Sequence, residues 1–548
     1  MRRRELLRDI AILVPTAVAC APLPLPSPAP TAVRGTPAAR FQTPTYIPFQ
    51  GPAPDIPGTP SGLPPAYTTF PKGTPTSVPK APGTGGEVTI LTFTNAPAPP
   101  PVDQNGAWQE VNRQVGANLK VNAAAAPDYL TKLTTTIASG DLPDVFYASV
   151  IGTGLQNMPD FLASQCADLT PFLSGDAIRD FPNLAALPSF RWPFGTFDGK
   201  LYAVPAATIT GAALLAKGKV LDEAGIGAFK NADEFLAAAK QLTRPGVQYA
   251  IGGTGSGYNS WNPLGWFMGV FRVPNDWRND GGKLTKDIET EEFKAALAFV
   301  RGLWDAGVMN PDSPSMNLTQ SAAAWYSGKN ILWQNSYSSF QLAWDRARTQ
   351  SQDPDFRPRI VTPFAFDGGR AVHLLGTTSD SLTAFRKASA DRIRELLGIV
   401  NYMVAPFGSR EHLLLNYGVQ ERDFTLDASG NPVLTQTGMT EVTTFPIWKM
   451  SAPPPVLFDP NDAAYAKVAS DATAAALAVG MPSPVAGVFS KTAAQKAAQL
   501  NQPLTDGLYN IMFGRDGIES LQGLLKQWRA NGGDAIRSEL EQALQERG

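Results

Sequence analysis

The sequence predicts an α/β protein built as two lobes. Three observations lead there: strands and helices alternate between Gly85 and Tyr147, the same grammar returns from Asn231 onward, and 548 residues exceed what one core of ordinary size employs.

Glu87 to Phe93 reads as a short apolar strand that ends at Thr94-Asn95-Ala96. Trp108, Val111 and Val115 recur at helical spacing, and Leu119 to Asn122 makes a second strand. Tyr129, Leu130, Leu133 and Ile137 share one helix face, which Ser139-Gly140 terminates. The turn Asp141-Leu142-Pro143-Asp144 leads into a third strand, Val145-Phe146-Tyr147. This alternation predicts a parallel sheet with right-handed crossovers.

In the second unit Asn231-Ala232-Asp233-Glu234 is a capping box, opening a helix that turns Phe235, Leu236, Ala239 and Leu242 inward. Asp280-Gly281-Gly282-Lys283 is a turn between short strands. Glu291 and Glu292 start a helix with Phe293, Leu297, Val300 and Trp304 on one face, ending at Gly307. Ile393, Leu396, Leu397 and Val400 mark another helix. Ile518, Leu521, Leu524, Leu525 and Trp528 mark one more, which Gly532-Gly533 separates from Ile536, Leu540 and Leu544. No fixed-period repeat occurs, which excludes a solenoid.

The chain opens with a basic segment, Met1 to Arg8, followed by an apolar run from Ile10 to Ala19. As a helix that run covers about 15 Å, half of a ~30 Å hydrocarbon core, so it is a secretory address and not a span. Arg3-Arg4 fits a twin-arginine export signal and equally a plain basic start for the general secretory route. Ala17-Val18-Ala19-Cys20 resembles a bacterial lipobox, which implies an acylated Cys20 and residues 1–20 as signal peptide. Residues 21–84 are rich in Pro, Thr and Ala, and the expectation there is a disordered tether extended at roughly 3 Å per residue.

Composition narrows the function. A formal net charge of −2 gives no basic face for nucleic acid. The two cysteines, Cys20 and Cys166, make no disulfide scaffold, and Cys166 reads as a small buried filler. His373 and His412, the two histidines, each sit in an apolar context without metal-ligand spacing, so neither a metal nor a cofactor is expected. Gly252 to Gly257 lacks the features of a phosphate clamp, and Asp427-Ala428-Ser429-Gly430-Asn431 reads as a hairpin turn in preference to a calcium loop.

Several segments together resemble the family 1 type of extracellular solute-binding protein of ABC importers. They are Leu133 to Val145, Asp198-Gly199-Lys200-Leu201-Tyr202-Ala203-Val204-Pro205, Val220 to Ile226 with Asp233-Glu234-Phe235, Trp304 to Asp312, Asn416-Tyr417-Gly418, and Phe513 to Asp534. Ala216-Lys217-Gly218-Lys219 and Glu421 depart from the family's pattern. The resemblance implies a two-lobed fold of the periplasmic-binding-protein type II kind, with a hinge and a ligand cleft between the lobes. One lobe would take 85–205 with about 378–440, the other 206–377 with about 441–548, and the chain would cross near 205–210, 372–378 and 440–455. It also implies a monomeric, lipid-anchored, extracytoplasmic carrier that hands a small solute, expected to be a sugar or oligosaccharide, to ABC permease subunits. No catalytic residue is expected. An anchored glycan hydrolase with distant carboxylates and a solute-sensing receptor are the alternatives.

Sugars offer hydroxyl rims and C–H faces, so amides, hydroxyls and aromatic rings at strand ends and crossings are the candidates. They are Asn95 and Ser149 after first-lobe strands, Thr208 and Thr377 at crossings, Trp261 in a polar loop, and Trp333, Asn335 and Tyr337 where a strand opens into polar residues. Packing within a lobe is the competing role for each. Trp304 and Trp528 stand on helix faces and are assigned to the core.

Overall fold

The computed structural model describes residues 41–59, 61–94, 97–148, 158–207, 211–254, 263–351, 353, 355–376, 379–445 and 452–547. Its strands are β1 (Glu87–Thr94), β2 (Asn118–Ala125), β3 (Val145–Tyr147), β4 (Ala203–Ala207), β5 (Ala212–Lys217), β6 (Tyr249–Gly252), β7 (Asn330–Ser336), β8 (Pro358–Ile360), β9 (His373–Leu374), β10 (Ser379–Phe385) and β11 (Gly480–Met481), besides short hairpins. The helices used below are α1 (Gly106–Val115), α2 (Tyr129–Ser139), α3 (Ala232–Leu242), α4 (Leu264–Val270), α5 (Glu291–Asp305), α6 (Leu318–Tyr326), α7 (Phe340–Gln350), α8 (Ala390–Met403), α9 (Arg410–Tyr417), α10 (Ala464–Ala478), α11 (Lys491–Met512) and α12 (Ser520–Trp528).

The first sheet has the order β2-β1-β3-β10-β4. Asn105 caps α1 by accepting from the Trp108 N–H, and Gly140, at φ 77°, ends α2 in the left-handed conformation that a side chain would disfavour. These stops let the chain re-enter the sheet, and β1 lies parallel to both β2 and β3. Val88, Ile90, Val145 and Val204 face α1 and α8, whose Trp108, Leu396 and Val400 complete that layer. Leu91 and Phe146 face α2 through Tyr129 and Leu133 on the other side. Leu130, expected on the inward face of α2, is exposed.

The second sheet has the order β8-β5-β7-β6. Leu214, Ala216, Ile251 and Leu332 pack against Phe235, Phe267, Phe293 and Val300, with Leu508, Met512 and Trp528 from the C-terminal helices behind them. Ala213 and Leu215 face Trp325, Phe340, Trp344 and Tyr465 on the opposite side. Both sheets are therefore sandwiched between helices, and each lobe has its own core.

Neither sheet is purely parallel as expected. β10 runs antiparallel to β3 and β4, and β5 antiparallel to β7 and β8. Both odd strands arrive directly from the other lobe, so no crossover helix dictates their direction.

Two crossings touch. A methyl group added to Gly211, just before β5, would lie 2.0 Å from the Leu374 carbonyl oxygen of β9, so only glycine admits this approach. β9 pairs in parallel with β11, and Asn275 Nδ2 donates to the carbonyls of Leu375 (2.8 Å) and Met481 (2.7 Å).

Residues 41–84 correct one expectation. They do not hang free but lie along the first lobe and beside the stretch around Leu457. Phe41 N–H donates to Gly199 O, Ile47 to Ala185 O, and Gly83 to Val115 O (2.7 Å). Tyr67 and Phe70 are buried with Phe407 and Phe458, and Tyr67 N–H donates to Leu457 O (3.0 Å). The proline content does keep this arm extended, yet an extended backbone shows its N–H groups to a neighbour, and a few apolar side chains suffice to dock it.

Candidate functional site

The ends of β5 and β7, helix α4 and strand β9 converge where the second lobe meets the two touching crossings. A crevice there encloses about 270 Å³, its open mouth included, and is lined by Ala212, Trp266, Gly269, Phe364, Val372 and His373 among others. Gly269 lets α4 approach: a methyl there would sit 3.0 Å from Val372 O. The α4 N-terminus is fixed by the Trp266 N–H, which donates to buried Gln334 Oε1 of β7 at 2.8 Å.

Three of the expected ligand residues are described. Trp333 is buried against Trp325 (centroids 5.3 Å) and Tyr326 (6.4 Å), in the core of the second lobe. Asn335 is buried, and its Oδ1 accepts the Ser336 N–H at 2.9 Å. Tyr337 stands edge-on to His373 with centroids 5.2 Å apart. Asn95, Ser149, Thr208, Trp261 and Thr377 lie outside the described residues, as does Cys20. Tyr337 thus stands behind His373 and does not line the crevice, and Trp333 lies in a hydrophobic layer.

Sequence reasoning missed His373 and Trp266 as site residues. His373 carried a signal, because it falls inside the stretch expected to cross between lobes. Burial lowers its pKa to about 4, so its imidazole is neutral at pH 7. Burial likewise raises the pKa of the Tyr337 hydroxyl, which stays protonated. Trp266 lies 6.3 Å from His373, centroid to centroid. The Trp266 Nε1, Tyr337 Oη and His373 Nε2 atoms are all buried without a hydrogen-bond partner among the described residues. Elsewhere Cys166 is fully buried and its thiol is pushed up to about 12, as an inert filler would be.

Two helix-flanked sheets with separate cores, between which the chain passes more than once, make a two-lobed α/β protein. The chain belongs to the bacterial extracellular solute-binding protein family, whose model matches residues 107–384. It is similar to the polygalacturonan/rhamnogalacturonan-binding protein YtcQ of Bacillus subtilis (strain 168), at 23% identity over 82% of this chain and 89% of that protein. Lipoprotein LipO of the same organism is 19% identical over 81% of this chain and 90% of its own length. Among solved structures, an HMO-binding, ABC-transporter-associated solute-binding protein of Bifidobacterium longum infantis superposes with a TM-score of 0.64, at 13% identity, over 84% of this chain and 99% of that one. That likeness carries the two-lobed fold.

Proposed function

We propose that this protein is the extracytoplasmic substrate-binding component of an ABC-type importer, capturing an oligosaccharide by closure of its lobes and delivering it to permease subunits. The observation that carries this reading is the pair of separate α/β cores linked by crossings that touch at Gly211 and Leu374. Short crossings between rigid bodies are where a hinge bends, and a solute that contacts both bodies favours the closed state because only that state gives it both sets of contacts. Family membership and the binding names of the relatives support a carrier without chemistry of its own.

The lobes are taken as 85–205 with about 378–440, and 206–377 with about 441–548. Membership of the two sheets supports this division, with the 41–84 arm assigned to the first lobe. Cys20 is the proposed acylated residue. Residues 21–40 would then be the spacer, up to about 60 Å when extended. Asn335 and Tyr337 would contribute to the cleft from the second lobe.

Thermal-shift screening of the purified protein against oligosaccharides, with small-angle scattering on each hit, tests the proposal. A rise in melting temperature, contraction of the particle and recovery of the sugar uncleaved are expected. Cleaved sugar, or a particle whose dimensions no sugar alters, would refute it.

A further inference from the structure

Between Phe445 and Tyr465 the chain leaves one lobe for the other. Phe445 packs in the first-lobe core, and Ala452 O accepts from Arg191 Nη1 of that lobe at 3.2 Å. Tyr465 and Ala469 of α10 pack in the second-lobe layer of Phe340 and Trp344. A link on which two bodies swing needs backbone that is free to turn. The stretch 457–462 has little of it.

Leu457 gives both of its backbone groups to the arm. Its N–H donates to Pro65 O (2.9 Å), and its carbonyl accepts the Tyr67 N–H (3.0 Å), a parallel bridge opposite Ala66. Its side chain packs against the second-lobe layer. Phe458 turns the other way, as successive residues of extended backbone do, and stands against Phe70 and Phe407. The helices on either side of Phe407, α8 and α9, pack on the first-lobe core. From the second lobe, Gln341 Nε2 of α7 donates to Phe458 O at 2.6 Å, and Trp344 Nε1 to Asp462 Oδ2 at 3.2 Å. From the first lobe, Asn431 holds arm and link at once: its Oδ1 accepts the Phe70 N–H (2.7 Å) and its Nδ2 donates to Pro460 O (3.1 Å). Proline stiffens both partners, with Pro64, Pro65 and Pro71 on the arm and Pro453, Pro454, Pro455 and Pro460 on the link. Fixed φ angles leave such segments few other shapes, so pairing them costs little ordering.

We infer that residues 63–71 of the arm are a strap that makes the 457–462 link a fixed pivot, so that the lobes move about it along one path. This role deepens the carrier reading and rests on it for what the motion serves. A solute that must touch both lobes binds only the fraction of molecules whose lobes face each other correctly, and a strapped pivot enlarges that fraction.

Double electron–electron resonance on the full-length chain tests the strap. Spin labels are placed at Thr131→Cys of α2 and Glu291→Cys of α5, exposed positions on the first and second lobe; Cys20→Ser removes one native thiol, and Cys166 is buried. Without sugar, the chain with its native arm should give one narrow distance distribution, and Tyr67→Ala combined with Phe70→Ala should at least double its width. A broad distribution with the native arm, or an unchanged width in the double variant, overturns the inference. Should the double variant fail to fold, Asn431→Ala, which unties Phe70 and Pro460 together, decides in the same way. Thr84→Val loosens the far end of the arm, where Thr84 donates to Glu395, and should leave the width unchanged. Broadening there equal to that of the double variant would mean general loosening and would also overturn the strap. Malto-oligosaccharides and galacturonate trimers are then added to the chain with its native arm. If neither shifts the distance, the carrier reading fails, while the sugar-free widths still decide the strap.

Discussion

The arm at 41–84 and the crevice beside β9 both bring polar atoms into burial, and they resolve that problem in opposite ways. In the arm every key group is answered. Glu411, which is 3% exposed, accepts from the backbone N–H groups of Ser77 and Val78 and from the Ser77 hydroxyl at 2.9–3.0 Å. Glu395 accepts from the N–H and hydroxyl of Thr84, both at 2.8 Å, and Asn431 Oδ1 accepts the Phe70 N–H at 2.7 Å. At and behind the crevice, Trp266 Nε1, Tyr337 Oη and His373 Nε2 are buried and have no hydrogen-bond partner among the described residues. A satisfied buried network is finished and holds the fold together. A cluster left unpaired costs the fold free energy that the arm's network does not.

The comparison breaks most visibly at Glu411. In Glu411→Ala, two backbone N–H groups and a hydroxyl lose their acceptor at a buried site, and a loss of about 4 kcal/mol is expected. Urea unfolding gives the magnitude, and limited proteolysis should show cleavage moving into 61–84. A variant with wild-type stability and an intact arm would mean that the arm is appended to the lobe and not part of it. Sugar affinity, measured where the variant is still folded, should change less than stability does.

The next largest effect concerns acid. His412 of α9 is packed edge-on to Phe407 (5.1 Å) next to the docked arm, and burial lowers its pKa to about 4. Unfolded, the same imidazole protonates near 6.5. Between those values the unfolded chain holds a proton that the folded chain refuses. Stability therefore falls as pH drops from about 6.5 to about 4, then levels off. In His412→Gln that component is removed, so the difference in unfolding free energy between pH 7 and pH 4 should shrink by about 3 kcal/mol. An unchanged difference would place the acid sensitivity elsewhere.

What was legible in the sequence follows the same physics. Periodic apolar faces on α1, α3, α5, α8 and α12 announced the helices, because burial of one stripe is a local property of the chain. The turn at Asp427 was equally plain: its carboxylate accepts from the Ser429 and Asn431 N–H groups at 2.8 Å, which is a property of five consecutive residues. The docking of 41–84 was not legible, since Glu411 and Asn431 stand more than three hundred residues from their partners. A Pro-rich composition describes the backbone's shape and is silent about what accepts its hydrogen bonds. His373 and Trp266 were missed for a related reason. Each looks like an ordinary apolar-context residue, and only the approach of β9 to α4 and Gly211 makes them neighbours of one another.

Trp333 supplies the finest test, since it shares one property with the crevice and lacks the other. Its Nε1 is also buried without a partner, but its ring packs on Trp325 and Tyr326 within a hydrophobic layer, and it does not line the crevice. If an open polar atom marks binding only where there is space beside it, Trp333→Phe should cost about 1 kcal/mol or more from lost volume and leave sugar affinity within twofold of wild type. Trp266→Phe, the same change at a residue that does line the crevice, should cost a similar amount of stability and lower sugar affinity several-fold as well. Were Trp333→Phe to weaken binding as much as Trp266→Phe, space beside the open atom would not be the decisive property, and the crevice would lose its special standing. Calorimetry on the two variants side by side separates these outcomes, because each variant serves as the other's control for general disturbance of the second lobe.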